Sequence, residues 1–141
     1  MTDADATTST QSTQPACRGV RGATYATGNT REAIHEAIRE LVLEIVAANG
    51  IEPDDIASAL FTTTPDLTAA FPAEAIRQMG WEYVPMLGAT EMDKDGALPF
   101  CIRVMFMWNT TLGPREIRHV YLRGTEALRS PAPASDATVS S

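Results

Sequence analysis

The stretch from Cys101 to Thr110 constrains the fold more than any other part of the chain. Ile102, Val104, Phe106 and Trp108 alternate there with Cys101, Arg103, Met105 and Met107. That two-residue period is the signature of a β-strand, whose successive side chains point to opposite faces of a sheet. An apolar strand face needs something to cover it. The cover is legible upstream. Ile34, Ile38, Leu41 and Ile45 recur at helical spacing, with Ala37, Val42 and Val46 beside them. Asn29 followed by Glu32 resembles a capping box, and Asn49-Gly50 supplies a stop. The spacing predicts a helix over 30–48.

The remaining elements follow from local signals. Cys17 to Thr24 reads as a short strand carrying Gly19 and Gly22, and Ser58 to Thr63 reads as another strand. Pro72 can open a second helix at its first position, and Gly80 can end it. Trp81 to Leu87 reads as a strand with Pro85 at an edge or bulge, and Glu91 to Gly96 as a polar turn. Leu112-Gly113-Pro114 turns the chain toward a last strand within 117–122. The order is strand, helix, strand, helix, then three strands. It predicts an α+β domain, a mixed β-sheet with helices on one side. Residues 1–16 are Thr/Ser-rich and offer little to bury, and the Pro-containing stretch 130–141 is similar. The expected division is a disordered extension over 1–16, one folded domain over 17–129 and a flexible tail over 130–141.

Composition excludes several classes of function. The net charge of −7 argues against a nucleic-acid surface, which needs a basic stripe. No apolar run approaches the ~20 residues of a membrane span, and the N-terminus lacks a signal-peptide pattern. Cys17 and Cys101 are far apart with no CxxC spacing, so neither a disulfide framework nor a zinc site is expected. A reduced, cytoplasmic compartment is the default. Of the 11 basic residues, only Lys94 is a lysine. Arginine suits bidentate binding of carboxylates, although genomic codon bias gives the same composition.

Position is more informative than composition. Arg103 lies inside the apolar strand, either on a solvated face or aimed into a pocket toward an anion. Glu91 stands at the end of a strand, as an ordinary turn residue or as a site carboxylate. Arg21 lies between Val20 and Gly22, where a ligand can approach the backbone closely. His35 is expected to face solvent or cap its helix, and His119 to be structural. The chain has no G-x-S-x-G, H-E-x-x-H or Walker pattern.

Seven strings in order carry a family resemblance. They are R-G-V-R-G-A-T at 18–24, T-T-P-D-L at 63–67, F-P-A-E-A-I-R at 71–77, W-E-Y-V-P at 81–85, E-M-D at 91–93, C-I-R-V-M at 101–105 and I-R-H-V-Y-L at 117–122. Together they resemble the small trimeric α/β chorismate mutases over about 18–129. The resemblance implies a pseudo-α/β barrel protomer in a homotrimer, with active sites at subunit interfaces. It implies conversion of chorismate to prephenate without a cofactor or metal, in the biosynthesis of aromatic amino acids. Carried over string by string, it assigns Arg103, Glu91 and Arg21 to catalysis. It assigns Tyr121, Arg77, Phe71, Ala73, Leu128 and Arg129 to substrate binding or closure.

Three departures accompany the resemblance. Gly88 stands where relatives often carry a cysteine, three residues before the glutamate. Glu74 stands where some carry a lysine, and is expected to point to solvent. The Thr-rich N-terminal extension is unlike the family core. Two other functions remain compatible with such a fold: an imine or enamine hydrolase with an interface arginine, and a non-catalytic module that binds chorismate-like metabolites.

Overall fold

A computed structural model of the chain describes residues 11–128. In chain order the elements are β1 (Gln11–Tyr25), α1 (Arg31–Asn49), β2 (Ile56–Thr63), α2 (Pro72–Gln78), β3 (Met86–Thr90), β4 (Cys101–Leu112) and β5 (Val120–Tyr121). The strands form one five-stranded sheet in the order β3-β2-β4-β1-β5. The central strand β4 is antiparallel to both β1 and β2. The outer pairs, β2 with β3 and β1 with β5, are parallel. The sheet is therefore mixed and carries two α-helices, as the sequence pattern predicts.

The alternation along β4 sorts the molecule into two faces. Ile102, Val104, Phe106 and Trp108 are all buried. Phe106 pairs across the ladders with Val20 and Ala59, and Val104 pairs with Gly22 and Phe61. Phe61 meets Phe106 edge to face at 6.4 Å, and the Trp81 ring lies 5.8 Å from Phe106. Such aromatic pairs add to simple area burial. Against this face α1 sets Ile34, Ala37, Ile38, Leu41, Val42 and Ile45, each with no exposed surface. The helix lies close to the sheet because Gly22 has no side chain. A Cβ there would stand 2.6 Å from Ile45 Cδ1, 3.1 Å from Leu41 Cδ1 and 3.2 Å from the Val120 carbonyl oxygen.

Several boundaries differ from the sequence reading. The α1 N-cap is Thr30, whose Oγ1 accepts from the Ala33 N–H at 3.1 Å. Asn29 instead ties down a distant loop, accepting from the Thr68 and Ala69 amides at 2.9 and 3.0 Å. The strand expected over 81–87 begins only at Met86. Trp81 is buried and residues 82–84 turn, while Pro85 has no N–H to give to a ladder and contributes its carbonyl to Ala59 N–H at 2.9 Å. The last strand contracts to Val120–Tyr121. β1 starts at Gln11, so residues 11–16, expected to be disordered, lie in a strand. Backbone pairing with β4 at Gln11↔Leu112 and Ala16↔Thr110 accounts for this, with an irregularity between the two pairs where Pro15 falls. A composition argument weighs side chains and does not register a main-chain ladder. The rest of the expected extension, 1–10, and the expected tail 130–141 lie outside the described residues.

Two polar side chains between the helices also depart from expectation. His35 is buried rather than solvent-facing, and its Nε2 lies 3.2 Å from Glu74 Oε1. Glu74 is accordingly turned toward α1 and is only half-exposed, with Arg31 at 3.9 Å. No helix among the described residues is long and apolar enough to cross a membrane.

The close approach at Gly22 gives a direct test. Gly22→Ala forces Ile45 and Leu41 aside against a fixed carbonyl, so it should destabilise by about 1–3 kcal/mol, the range for overpacking. Denaturant unfolding with wild-type stability would contradict the account of how α1 seats on β1.

Candidate active site

The second face of the sheet carries the polar chemistry. Facing residues in a ladder point to the same side, so Thr62 of β2 and Ala23 of β1 flank Arg103 of β4. One rung away, Leu60 and Arg21 flank Met105. Tyr121 of β5 pairs with Ala23 from the other side. The small Ala23 thus lies between Arg103 and Tyr121. These positions open onto a cleft of about 220 Å³ that Arg21, Glu91, Arg103 and Tyr121 all line.

Glu91 is placed by the end of β3. Its N–H continues the ladder to the Thr63 carbonyl at 2.8 Å, which turns its side chain over the cleft. One carboxylate oxygen accepts from the Thr62 hydroxyl at 2.5 Å. The other faces Arg103 Nη1 at 3.5 Å. Thr62 and Glu91 thus hold the guanidinium from one side, through a long contact that leaves most of its donors uncommitted. Arg103 is about one-third exposed, so it is neither a buried core charge nor a freely solvated one. Two guanidinium groups against one carboxylate make the cleft locally cationic, although the whole chain carries −7. Nearby charges dominate because salt screens the distant ones within about 10 Å.

Tyr121 supplies the most specific sign of a ligand. Its side chain is buried, yet its hydroxyl has no hydrogen-bond partner within the described protein. A buried hydroxyl without a partner is costly, and because Tyr121 lines the cleft a bound molecule is a natural partner for it.

The structure brings Arg21, Glu91, Arg103 and Tyr121 into one cleft. It does not bring Phe71, Ala73, Arg77 or Leu128 to it within a single chain. Phe71 caps α2 and is 73% exposed, and Arg77 lies in the last turn of that helix. Arg129 lies outside the described residues. Gly88 pairs with Phe61 on β3, and a Cβ there would meet only the Phe61 carbonyl oxygen, at 3.9 Å. The position therefore has room for a side chain. Cys101 is buried beside the site, and burial pushes its thiol up, so it is poorly suited to act as a nucleophile.

Sequence reasoning missed Thr62, the residue that orients Glu91. Its signal was only the apposition of two strands that no local pattern specifies. His119, expected to be structural, holds main chain beside the site. Its Nδ1 accepts the Arg21 backbone N–H at 3.0 Å.

Comparison with known proteins identifies the family. Residues 17–132 match the family model for chorismate mutase type I. The chain is 50% identical over 113 residues to chorismate mutase AroH of Thermus thermophilus, covering 79% of this chain and 93% of that protein. It is 43% identical to chorismate mutase AroH of Bacillus subtilis, covering 79% and 89%. The fold matches a solved chorismate mutase from Clostridium thermocellum with a TM-score of 0.76 and 44% identity, covering 78% of this chain and 98% of that one. The chain belongs to the type I chorismate mutases, enzymes that convert chorismate to prephenate.

Proposed function

We propose that the cleft is one half of the chorismate site, that Arg103 is its central catalytic group, and that a second copy of the chain completes it. The observation that carries this reading is the buried Tyr121 hydroxyl, which has no partner and stands across Ala23 from Arg103. A dicarboxylate provides acceptors for that hydroxyl and for the two arginines.

The rearrangement is unimolecular. One C–O bond breaks while one C–C bond forms, and every electron pair stays within the substrate. The protein's task is to hold a compact conformer and to meet charge that develops in the transition state. Negative charge grows on the ether oxygen as its bond to carbon breaks. A guanidinium fixed beside that oxygen interacts more strongly with the transition state than with the substrate, and only such differential binding accelerates the step. Arg103 has the required character: charged, held from one side by Glu91 and partly enclosed. Glu91 also accepts a hydrogen bond from the ring hydroxyl of the substrate. Arg21 binds a carboxylate or hydrogen-bonds near the ether oxygen, and Tyr121 donates to a carboxylate.

The same face of the sheet supports a shared site. Leu60 and Leu87 are 42% and 69% exposed, and Phe71 is more exposed still. A single-chain cleft of about 220 Å³ falls below the ~300 Å³ where ligand pockets ordinarily begin. A homotrimer in which Phe71, Ala73 and Arg77 of one copy cover the cleft of the next would bury the apolar surface and enlarge the pocket. Leu128 and Arg129 then close over the dianion. We place the enzyme in the cytoplasm, a reading that its two free cysteines favour.

Arg103→Ala should lower kcat/KM by ~10²–10³, the range for a lost transition-state donor, and Arg103→Lys should also be poor because an ammonium lacks the guanidinium fork. Near-normal conversion of chorismate by either variant would remove Arg103 from the mechanism. Arg103→Ala and Arg77→Ala, each impaired alone, should recover activity when co-assembled, because random mixing in a ring rebuilds about a quarter of the sites. Mixed trimers without recovery, or a fully active monomer, would contradict the shared site.

A further inference from the structure

We infer that His119 is a positioning residue for Arg21, its neutral imidazole replacing a rung between β5 and β1 and so fixing how Arg21 and Tyr121 face the same cleft. The inference rests on the assignment of Arg21 to the substrate site.

β5 is a weakly attached strand. Its register with β1 consists of two pairs, Gly22↔Val120 and Ala23↔Tyr121. Beyond Tyr121 the attachment is secured at the Ala23 carbonyl, which takes the Leu122 N–H at 2.8 Å, while the Thr125 hydroxyl lies 2.7 Å from the Leu122 carbonyl and 3.1 Å from that of Ala23. Before Val120 it is secured by a side chain. The Arg21 N–H donates to His119 Nδ1 at 3.0 Å. This bond acts on the backbone of the residue whose side chain lines the cleft, and it comes from the residue two before Tyr121. Without it, β5 would meet β1 only from Gly22 onward, and the main chain at Arg21 would be held from the β4 side alone.

The bond also specifies the state of the ring. Nδ1 can accept only through its lone pair, so His119 is neutral with its proton on Nε2. Burial pushes the His119 pKa below its ordinary value of 6.5, and the Arg21 guanidinium adds to the same direction. Arg21 on β1 is the charged group that bears on the ring. Tyr121 is the titratable side chain of β5. Met105, opposite Arg21 on β4, carries no charge. Arg118 precedes His119, and α1 meets this stretch through neutral Asn49, which holds the Arg118 N–H at 2.8 Å and its carbonyl at 2.9 Å. Protonation of Nδ1 would set one N–H against another and place a second cation beside Arg21. The sign follows: the bond is intact above the folded-state pKa of His119 and is lost as pH falls through it, at a value below 6.5.

The test compares kcat, KM and the pH profile of kcat/KM for His119→Leu, His119→Asn, Arg21→Ala and the Arg21→Ala/His119→Leu double variant, with chorismate as substrate. His119→Leu should lose between ~10- and ~100-fold in kcat/KM, the scale expected for a displaced binding group. In His119→Asn the Oδ1 takes the place of Nδ1 and does not titrate. That variant should return to within ~3-fold of wild type at neutral pH and lose the part of the acid limb due to His119. In the Arg21→Ala background, His119→Leu should add little, because the two act through one residue. His119→Leu with wild-type kinetics, His119→Asn with an unchanged acid limb, or full additivity in the double variant would each overturn the inference. If His119→Leu does not fold, the pH profile of His119→Asn decides. Near-normal activity in Arg21→Ala would instead show that the site assignment is wrong, and the inference would fall with it.

Discussion

Glu91 holds Arg103 through a single long contact, and the proposed mechanism depends on it. A guanidinium on an apolar strand is easily lost as a catalyst. Facing open water, it is screened and mobile; tied into a short bidentate pair, it has little left for a substrate. The 3.5 Å contact to one oxygen of Glu91 avoids both outcomes. Thr62 donates to the other oxygen at 2.5 Å, which opposes rotation of the carboxylate into a bidentate pair with the arginine. The three residues come from β2, the end of β3 and β4, and only a sheet in the observed order places them side by side.

The rest of the architecture maintains that arrangement. The helices cover one face so completely that the other can carry charge. Gly22 lets α1 seat on that covered face, while its own main chain lines the cleft on the opposite side. Ala23 is small enough to leave Tyr121 and Arg103 in one space, and its carbonyl anchors the segment after β5. The strand core and the face that carries the cleft are therefore two sides of the same strands. A packing change on β1 should register as a change in the site.

What the sequence disclosed followed from period. The alternation in β4 and the helical spacing of Ile34, Ile38, Leu41 and Ile45 gave the sheet, the covering helix and the fold class. Boundaries governed by main-chain pairing were less legible. The extension of β1 to Gln11 rests on a ladder to Leu112, and composition carries no trace of it. The start of β3 after Pro85 rests on one missing N–H among β-favouring neighbours. His35 and Glu74 were misread because each is polar alone, and only the apposition of two helices pairs a buried histidine with a half-exposed glutamate. At the site, the resemblance in seven strings named Arg21, Glu91, Arg103 and Tyr121, which the fold gathers into one cleft. Periodicity left the orientation of Arg103 open. Thr62 and His119 act through contacts between strands distant in sequence, so no local string points to them.

The central claim is that Arg103 favours the transition state over the bound ground state. The most direct measurement is the affinity of Arg103→Ala and the wild-type enzyme for two ligands, prephenate and a bicyclic oxa-bridged diacid that mimics the transition state. The account predicts that affinity for the mimic falls in Arg103→Ala by about the same factor as kcat/KM, while affinity for prephenate changes only a few-fold. Equal losses for both ligands would make Arg103 a uniform binding group and contradict the account.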